Sequence, residues 1–195
     1  MKPLVFRSTP SFVFAWIWMA FAAANLVDIA LRGRDVTSVI AAGSLLLGAG
    51  VAYVIGLRPR VVADQDGVRL HNPLRDVRLA WSAVDKVEKT NAIEIHSGDS
   101  TFRAYALQTS PRARVRAEAK PRRDNVPDHV ADYVKGRLPI DFAVEQLTEL
   151  ATQGRRDSAE SAVAPPSVSP SWFAITALAA PTALLLAAIL VSAIT

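Results

Sequence analysis

Cysteine is absent from this chain of 195 residues, and the residue patterns of common catalytic sites are absent as well. Without cysteine the protein has no disulfide framework, thiolate nucleophile or zinc–cysteine cluster. The three histidines, His71, His96 and His129, show no metal-ligand spacing to one another or to acids. No glycine-rich phosphate loop or Gly-x-Ser-x-Gly motif occurs, and the acidic residues are scattered rather than paired. The sequence therefore predicts a protein that is not an enzyme and that holds no cofactor or metal.

Charge is nearly absent from three long stretches, and this division is the strongest signal in the sequence. The stretches are the apolar runs Phe12–Leu31, Val36–Leu57 and Trp172–Ile194. A helix needs about 20 residues to cross roughly 30 Å of hydrocarbon, and each run is about that long. The turn Arg32–Asp35 is too short for anything but a tight reversal. We therefore predict three transmembrane helices, the first two forming a hairpin.

The first run carries an acid, Asp28, near its end. An acid inside a span is a candidate for a proton relay or another functional site. The other two runs contain neither acids nor histidines, whereas Arg32 lies four residues from Asp28 on the same helix face. We expect an ion pair with Arg32 at the membrane boundary rather than a relay.

Small residues recur every four positions in the second run, at Ser44, Gly48, Ala52 and Gly56. Such a stripe lets another helix approach closely, although small residues are frequent in any alanine-rich span. We predict a helix-packing face, directed mainly at the first helix. The same stripe leaves homo-oligomerisation open.

Positive charge near the span ends sets the expected orientation, because cytoplasmic loops carry an excess of lysine and arginine. Only Arg32 and Arg34 lie on one side of the predicted spans. The residues on the other side are Lys2, Arg7, Arg58, Arg60, Arg69, Arg155 and Arg156. We expect a multi-pass plasma-membrane protein whose N-terminus and middle segment are cytoplasmic and whose C-terminus lies outside.

A second interpretation of the N-terminus is a cleaved signal peptide over residues 1–24. Lys2 and Arg7 supply a positive region, Phe12–Phe21 an apolar region, and Ala22–Ala24 a cleavage-like site. The apolar run continues to Leu31, which favours a retained span. Either interpretation leaves the middle segment cytoplasmic.

Between the second and third runs the pattern changes to short alternating strands separated by turn residues. The turn signals include Asp64–Gly67, which resembles the start of a calcium loop but lacks the closing glutamate, so a hairpin turn is the better interpretation. The six predicted strands are Val61–Ala63, Val68–His71, Val77–Trp81, Val84–Val87, Ala92–His96 and Thr101–Leu107. They predict an antiparallel sandwich or partly open barrel.

A basic, proline-interrupted insert at 109–138 follows the strands. After it, Asp141 is a plausible N-cap for a helix that presents Val144, Leu147 and Ala151 on one face, with Leu150 beside them. We expect Gly154 to end this helix. The predicted organisation is a helical hairpin at 1–57 (spans 12–31 and 36–57), a domain at 58–154, a flexible linker at 155–170 and a third span at 171–195.

Asp66-Gly67, Asn72-Pro73 and Trp81-Ser82-x-Val84 together resemble the bacterial pleckstrin-homology (PH) domain. The likeness is greatest to the actinobacterial, membrane-anchored low-molecular-weight protein antigen group. It covers roughly residues 59–107, with Asp141–Ala151 matching the C-terminal helix. The resemblance implies an α+β protein: three transmembrane helices plus a cytoplasmic PH-like antiparallel barrel or sandwich closed by that helix.

The resemblance does not carry headgroup binding onto the first hairpin, because Asp64–Gly67 is acidic where phosphoinositide-binding PH domains are basic. Two other basic groups are candidates for contact with anionic lipid or a partner. They are Arg69, Arg75 and Arg78 on the strands, and Arg112, Arg114, Arg116, Lys120, Arg122 and Arg123 in the insert. A solvated loop that follows the positive-inside bias is the other, and favoured, interpretation of the insert.

Taken together, these features predict a non-catalytic docking or scaffold module at the inner face of the plasma membrane. The expected partners are membrane lipids and a protein, while the sequence has no pattern typical of nucleic-acid binding. The alternative is an anionic-lipid sensor that uses the basic residues of the domain.

Overall fold

The computed structural model describes residues 3–107, 139–157 and 165–194. In chain order the elements are β1 (Leu4–Phe6), α1 (Thr9–Arg32), α2 (Val36–Ala52), β2 (Arg60–Ala63), β3 (Gly67–His71), β4 (Arg75–Ala80), β5 (Lys86–Lys89), β6 (Ile93–Ser97), β7 (Ser100–Ala104), α3 (Pro139–Asp157), β8 (Ser167–Pro170) and α4 (Trp172–Ile194). A π-helical turn, Tyr53–Leu57, extends α2, and a 3-10 turn, Trp81–Ala83, follows β4.

The chain divides into two compact units. The helical unit comprises Ser8–Pro59, Asn72–Asp76 and Ser169–Thr195. The strand unit comprises Met1–Arg7, Arg60–His71 and Val77–Val168. The predicted α+β class, with three long apolar helices, antiparallel sheets and a C-terminal helix on the domain, is confirmed within the described residues.

The three helices of the helical unit are long and apolar enough to cross a membrane. They span 24, 22 and 23 residues, at Thr9–Arg32, Val36–Leu57 and Trp172–Ile194, and an 18-residue stretch of each has a mean hydropathy of 1.8, 2.0 and 2.3, respectively. Most of their large apolar side chains are exposed, Phe14 and Phe173 among them. Such a surface is unfavourable in water, because exposed apolar area carries a free-energy cost. The hydrocarbon core of a bilayer would remove this cost by covering the surface.

The α1–α2 connection is a tight turn, as predicted. Asp35 caps α2: its carboxylate accepts a hydrogen bond from Ser38 N at 2.9 Å and another from the Ser38 hydroxyl. These bonds, the hydroxyl bond first, lower the pKa of Asp35 because they favour the charged carboxylate. At the last residue of α1, Arg32 Nε lies 3.1 Å from Oδ1 of Asp28, one turn earlier in the helix, which confirms the expected pair.

Two faces of α2 approach neighbouring helices. A Cβ built at Gly48 would lie 2.7 Å from Trp18 Cζ2, and one at Gly56 would lie 2.5 Å from Ala15 Cβ, so both glycines lie against α1. In the same predicted stripe, the Ser44 hydroxyl bonds within its own helix, to Ile40 O at 2.9 Å.

The second face of α2, which the sequence reading missed, lies against α4. It carries Gly43 and Gly50, seven residues apart, beside Leu185 and Ala177 respectively. Pro181 lies four residues after Ala177 and has no N–H, so it cannot donate the usual helical bond to the Ala177 carbonyl. Gly50 places its Cα against this oxygen, where a weak Cα–H···O contact is expected. The helix α4 runs through Pro181 without a break.

The described strands form two antiparallel sheets, in the orders β1-β2-β3-β4-β8 and β5-β6-β7. In the first sheet Val5 pairs with Val62, which in turn pairs with Arg69. In the second, Ile95 pairs with Val87 on one side and with Phe102 on the other. The largest fully buried side chains include Leu70, Leu79, Ile93, Ile95 and Leu147.

The helix α3 packs on this core through Ala143, Leu147 and Ala151, all at most 2% exposed. Val144 and Leu150 are only partly buried at its edge. Leu147 and Ala151 of the predicted face are confirmed as buried, whereas the predicted Val144 lies at the edge and Ala143 is buried in its place. The amphipathic character of the helix is as predicted.

Two predictions about α3 are wrong. Asp141 is not its N-cap, because the helix already includes Pro139 and Asp141 lies in the first turn, paired with Lys89 Nζ. Gly154 does not end it, because the helix continues to Asp157. A Cβ at Gly154 would lie 2.7 Å from Trp81 Cγ, so the glycine is explained by close approach to a buried indole rather than by helix termination.

Several strand bounds differ from the prediction. Trp81 begins the 3-10 turn rather than ending a strand, β5 begins at Lys86, and β7 ends at Ala104. Two strands, β1 and β8, were not predicted at all. Both are too short, at three and four residues, for alternation to be visible in the sequence. Of the expected linker 155–170, residues 155–157 belong to α3 and residues 167–170 form β8.

The contact between Gly154 and Trp81 gives a first test. Replacing glycine by alanine in a helix normally gains about 1 kcal/mol. Here the new methyl group would overlap the Trp81 side chain, and overpacking costs about 1–3 kcal/mol. We expect Gly154→Ala to lower the unfolding temperature of the detergent-solubilised full-length protein, followed by near-UV circular dichroism.

Gln153→Ala, on the exposed neighbouring position of the same helix, is the control and should leave the unfolding temperature nearly unchanged. A higher unfolding temperature for Gly154→Ala would show that the glycine is not required for packing.

The α2–α4 face gives a second test with an internal control. A methyl group at Gly50 would overlap the backbone carbonyl of Ala177, which cannot rotate away, whereas one at Gly43 would be 3.4 Å from Leu185, an ordinary contact. We expect Gly50→Ala to lower the unfolding temperature and Gly43→Ala to leave it close to that of the parent protein. Equal effects would contradict the close approach at Gly50.

Candidate interaction surfaces

The strand unit presents an apolar patch formed by β1 and the start of α3. Phe6 points into the core and packs edge-on against Phe142, with ring centroids 6.4 Å apart. Phe142 nevertheless remains 47% exposed, and Leu4, which lies on the same face of β1 as Phe6, is 39% exposed. We call Leu4 and Phe142 the β1–α3 patch.

The strand β1 is an edge of its sheet. It pairs only with β2 in the sheet order of the described residues, and β2 lies between it and β3. An edge strand presents unpaired backbone N–H and C=O groups on its free side, to which an extended segment can add. The β1–α3 patch therefore combines a backbone template with exposed apolar and aromatic side chains.

The outer face of the same sheet is basic. In β2, β3 and β4 the core-facing positions are apolar and buried, for example Val61, Leu70 and Leu79. The strand alternation places Arg60, Arg69 and Arg78 on the opposite side. Arg69 Nη2 lies 3.3 Å from Asp64 Oδ2, and Arg60 and Arg78 are exposed. We call Arg60, Arg69 and Arg78 the outer basic face.

The predicted basic set is thus divided by the structure. Arg69 and Arg78 lie on one face of adjacent strands, whereas Arg75 lies at the β3–β4 turn and belongs to the helical unit. Arg60 was not included in the predicted set, although the apolar residues Val61 and Ala63 that follow it would have predicted its outward position. The insert residues, Arg112, Arg114, Arg116, Lys120, Arg122 and Arg123, lie outside the described residues.

The Asp64–Gly67 segment is a hairpin turn, as expected. Asp64 N donates to Gly67 O at 3.0 Å, and Asp64 Oδ1 accepts the backbone N–H groups of Asp66 and Gly67 at 3.1 and 3.0 Å. The Asp64 carbonyl accepts the Trp81 indole N–H at 2.8 Å. These hydrogen bonds stabilise the conformation of the turn and join it to the buried Trp81 side chain.

The outer face of the three-stranded sheet carries a polar cluster. His96 Nε2 lies 3.1 Å from Glu88 Oε2, and His96 Nδ1 lies 3.1 Å from the Thr101 hydroxyl. Hydrogen bonding to Lys86, followed by the charges of Lys86 and His96, lowers the pKa of Glu88. The cluster lies on an open strand surface, and ordinary cross-strand pairing explains it.

Within the described ranges, no group of three or more His, Cys, Asp or Glu side chains is placed to hold a metal ion. His71 and His96 lie on different sheets, and His129 lies outside those ranges.

Comparison with known proteins supports the resemblance read from the sequence. Residues 58–124 match the family model of the bacterial PH domain. No curated protein and no solved structure matches the chain. The match includes β2 to β7 and leaves out β1 and α3, which complete the core of the strand unit. The segment 58–124 is therefore similar to the bacterial PH domain, and the protein combines a PH-like domain with three helices long and apolar enough to cross a membrane.

Proposed function

We propose that this protein is a non-catalytic docking module, in which a PH-like domain held at the inner face of the plasma membrane binds a protein partner. The observation that carries the proposal is the β1–α3 patch. It joins a free strand edge to an exposed phenylalanine on a neighbouring helix, and both features are supported by a packed core.

The limited freedom of the exposed Phe142 side chain favours a binding role for the patch. Phe142 is fixed by its edge contact with Phe6, and Phe6 packs on the core, so little side-chain freedom remains to be lost on binding. Rigid aromatic anchors are frequent among the residues that dominate binding energy. Strand addition to an exposed edge, with nearby pockets or apolar contacts giving specificity, is a common mode of peptide recognition.

The proposed orientation places the domain and the N-terminus in the cytoplasm. Its support is the excess of arginine and lysine flanking the spans on the side of Arg58 and Arg60, against Arg32 and Arg34 on the other side. The pairing of β1 with β2 adds a physical reason to place both segments on one side, because hydrogen-bonded strands cannot be separated by a bilayer. The C-terminus then lies outside after α4.

Site-specific photo-crosslinking in cells tests the proposal. A photoreactive amino acid at Phe142 should form a discrete adduct with a protein partner, whereas the same residue at Val168, an exposed apolar position of β8, should not. Leu4→Lys should reduce the Phe142 adduct, because a charge on an edge strand opposes strand addition. Loss of an interface anchor typically costs about 2 kcal/mol, or roughly 30-fold in affinity.

The docking proposal fails if the Phe142 and Val168 positions give the same adducts, or if Leu4→Lys leaves the Phe142 adduct unchanged. The stability of Leu4→Lys is checked in parallel by its unfolding temperature, so that a loss of binding is not confused with a loss of folding.

A second function, sensing of anionic lipid, is favoured by the outer basic face. Three arginines on adjacent strands point the same way, and each positive charge near an anionic surface contributes about 1 kcal/mol. In nanodiscs, hydrogen–deuterium exchange of β3 and β4 should slow when phosphatidylglycerol replaces neutral lipid, and salt should reverse this. The response should be lost in Arg60→Gln/Arg78→Gln but kept in Lys86→Gln, a control on the other sheet. An unchanged exchange rate would exclude this function.

A further inference from the structure

The β3–β4 turn, Asn72–Asp76, belongs to the helical unit rather than to the strand unit. It is closed by a backbone bond from Asn72 N to Arg75 O at 2.9 Å, with Pro73 and Leu74 between them. Two further contacts fix it to the ends of two membrane helices. These contacts determine where the turn lies relative to the spans.

The first contact joins the turn to the start of α4. Ser171 N donates to Leu74 O at 2.9 Å, and Ser171 directly precedes the span Trp172–Ile194. Ser171 is itself buried and its hydroxyl accepts the Ala174 N–H at 3.4 Å, as an N-cap does. The backbone of Leu74 therefore lies within hydrogen-bond distance of the residue at which α4 leaves the membrane.

The second contact joins the turn to the end of the span Val36–Leu57. Arg58, the next residue, places Nη2 at 2.7 Å from Asp76 Oδ2. The Arg58 side chain is only 8% exposed, so this pair is shielded from water. A shielded guanidinium requires an acid, and Asp76 holds both the charge and the turn in place.

The side chains around the turn have the character of a membrane interface. Leu74 is 48% exposed, and the exposed aromatics Trp172 and Phe173 begin α4 next to it. Arg75 is exposed beside Leu74. Aromatic residues concentrate at the level of lipid headgroups, and arginine near a span end extends to the phosphates.

We propose that the turn Asn72–Asp76 is seated in the lipid interface, with the Leu74 side chain at the boundary between headgroups and acyl chains and the Arg75 guanidinium at the phosphates. The occupant of this surface is the bilayer itself, because both anchors of the turn are residues adjoining membrane spans. The inference does not depend on the proposed protein partner.

The absence of cysteine makes a direct depth measurement available. Leu74→Cys, labelled with an environment-sensitive fluorophore in the full-length protein in nanodiscs, carries the only label in the chain. We expect a blue-shifted emission, protection from aqueous iodide, and stronger quenching by lipid spin-labelled near the headgroup than by lipid spin-labelled at the end of the acyl chain. Leu186→Cys, exposed within α4, is the membrane reference and should show the reverse preference between the two lipids.

Iodide quenching of the Leu74→Cys label without quenching by either lipid would overturn the proposal, and so would preferential quenching by the chain-end label. The substitution is at an exposed position, so folding is expected to be kept, and the unfolding temperature verifies this. In the Leu74→Cys background, Arg75→Gln should reduce the headgroup-region quenching when the nanodisc contains phosphatidylglycerol. An equal reduction by Lys86→Gln, on the other sheet, would contradict a local contact of Arg75.

Discussion

The pairing of β1 with β2 is the constraint on which the rest of the structure depends. Residues 4–6 precede α1 and residues 60–63 follow α2, yet Val5 and Val62 are partners in one sheet. The chain must therefore leave the sheet, form the helical hairpin and return to the same edge. The antiparallel hairpin of α1 and α2 satisfies this requirement, because its first and last residues lie at the same end of the hairpin. Removal of residues 1–24 would remove β1 and expose the edge of β2.

In each of the two units, a glycine lets a distant part of the chain come close because glycine has no side chain. In the helical unit the lack of a side chain at Gly50 lets α2 lie close to the Ala177 carbonyl, to which Pro181 cannot donate a helical hydrogen bond. In the strand unit Gly154 leaves room for Trp81, whose indole N–H is bonded to Asp64 O. These contacts explain glycines whose importance cannot be inferred from local sequence, since each depends on a residue far away in the chain.

The candidate surfaces share one physical origin: positions where the fold leaves an apolar or basic side chain partly or fully exposed. In the β1–α3 patch, Phe142 packs against Phe6 of the edge strand on one side only and therefore stays 47% exposed. The outer basic face arises because alternation sends every second residue of β2, β3 and β4 away from the core. The turn Asn72–Asp76 differs, because its contacts to Ser171 and Arg58 fix its place beside the ends of two long apolar helices.

The sequence by itself determined the three apolar helices, the tight hairpin between the first two, the six strands from Arg60 to Ala104 and the presence of an amphipathic helix after them. Long apolar runs and regular alternation report burial directly, so these features are local in origin. Tertiary structure decided the strand status of Leu4–Phe6 and Ser167–Pro170, the extension of α3 past Gly154, the second face of α2 and the grouping of Asn72–Asp76 with the helices. Short strands and close glycine contacts are stabilised by residues that are distant in the chain, so the local sequence pattern does not predict them.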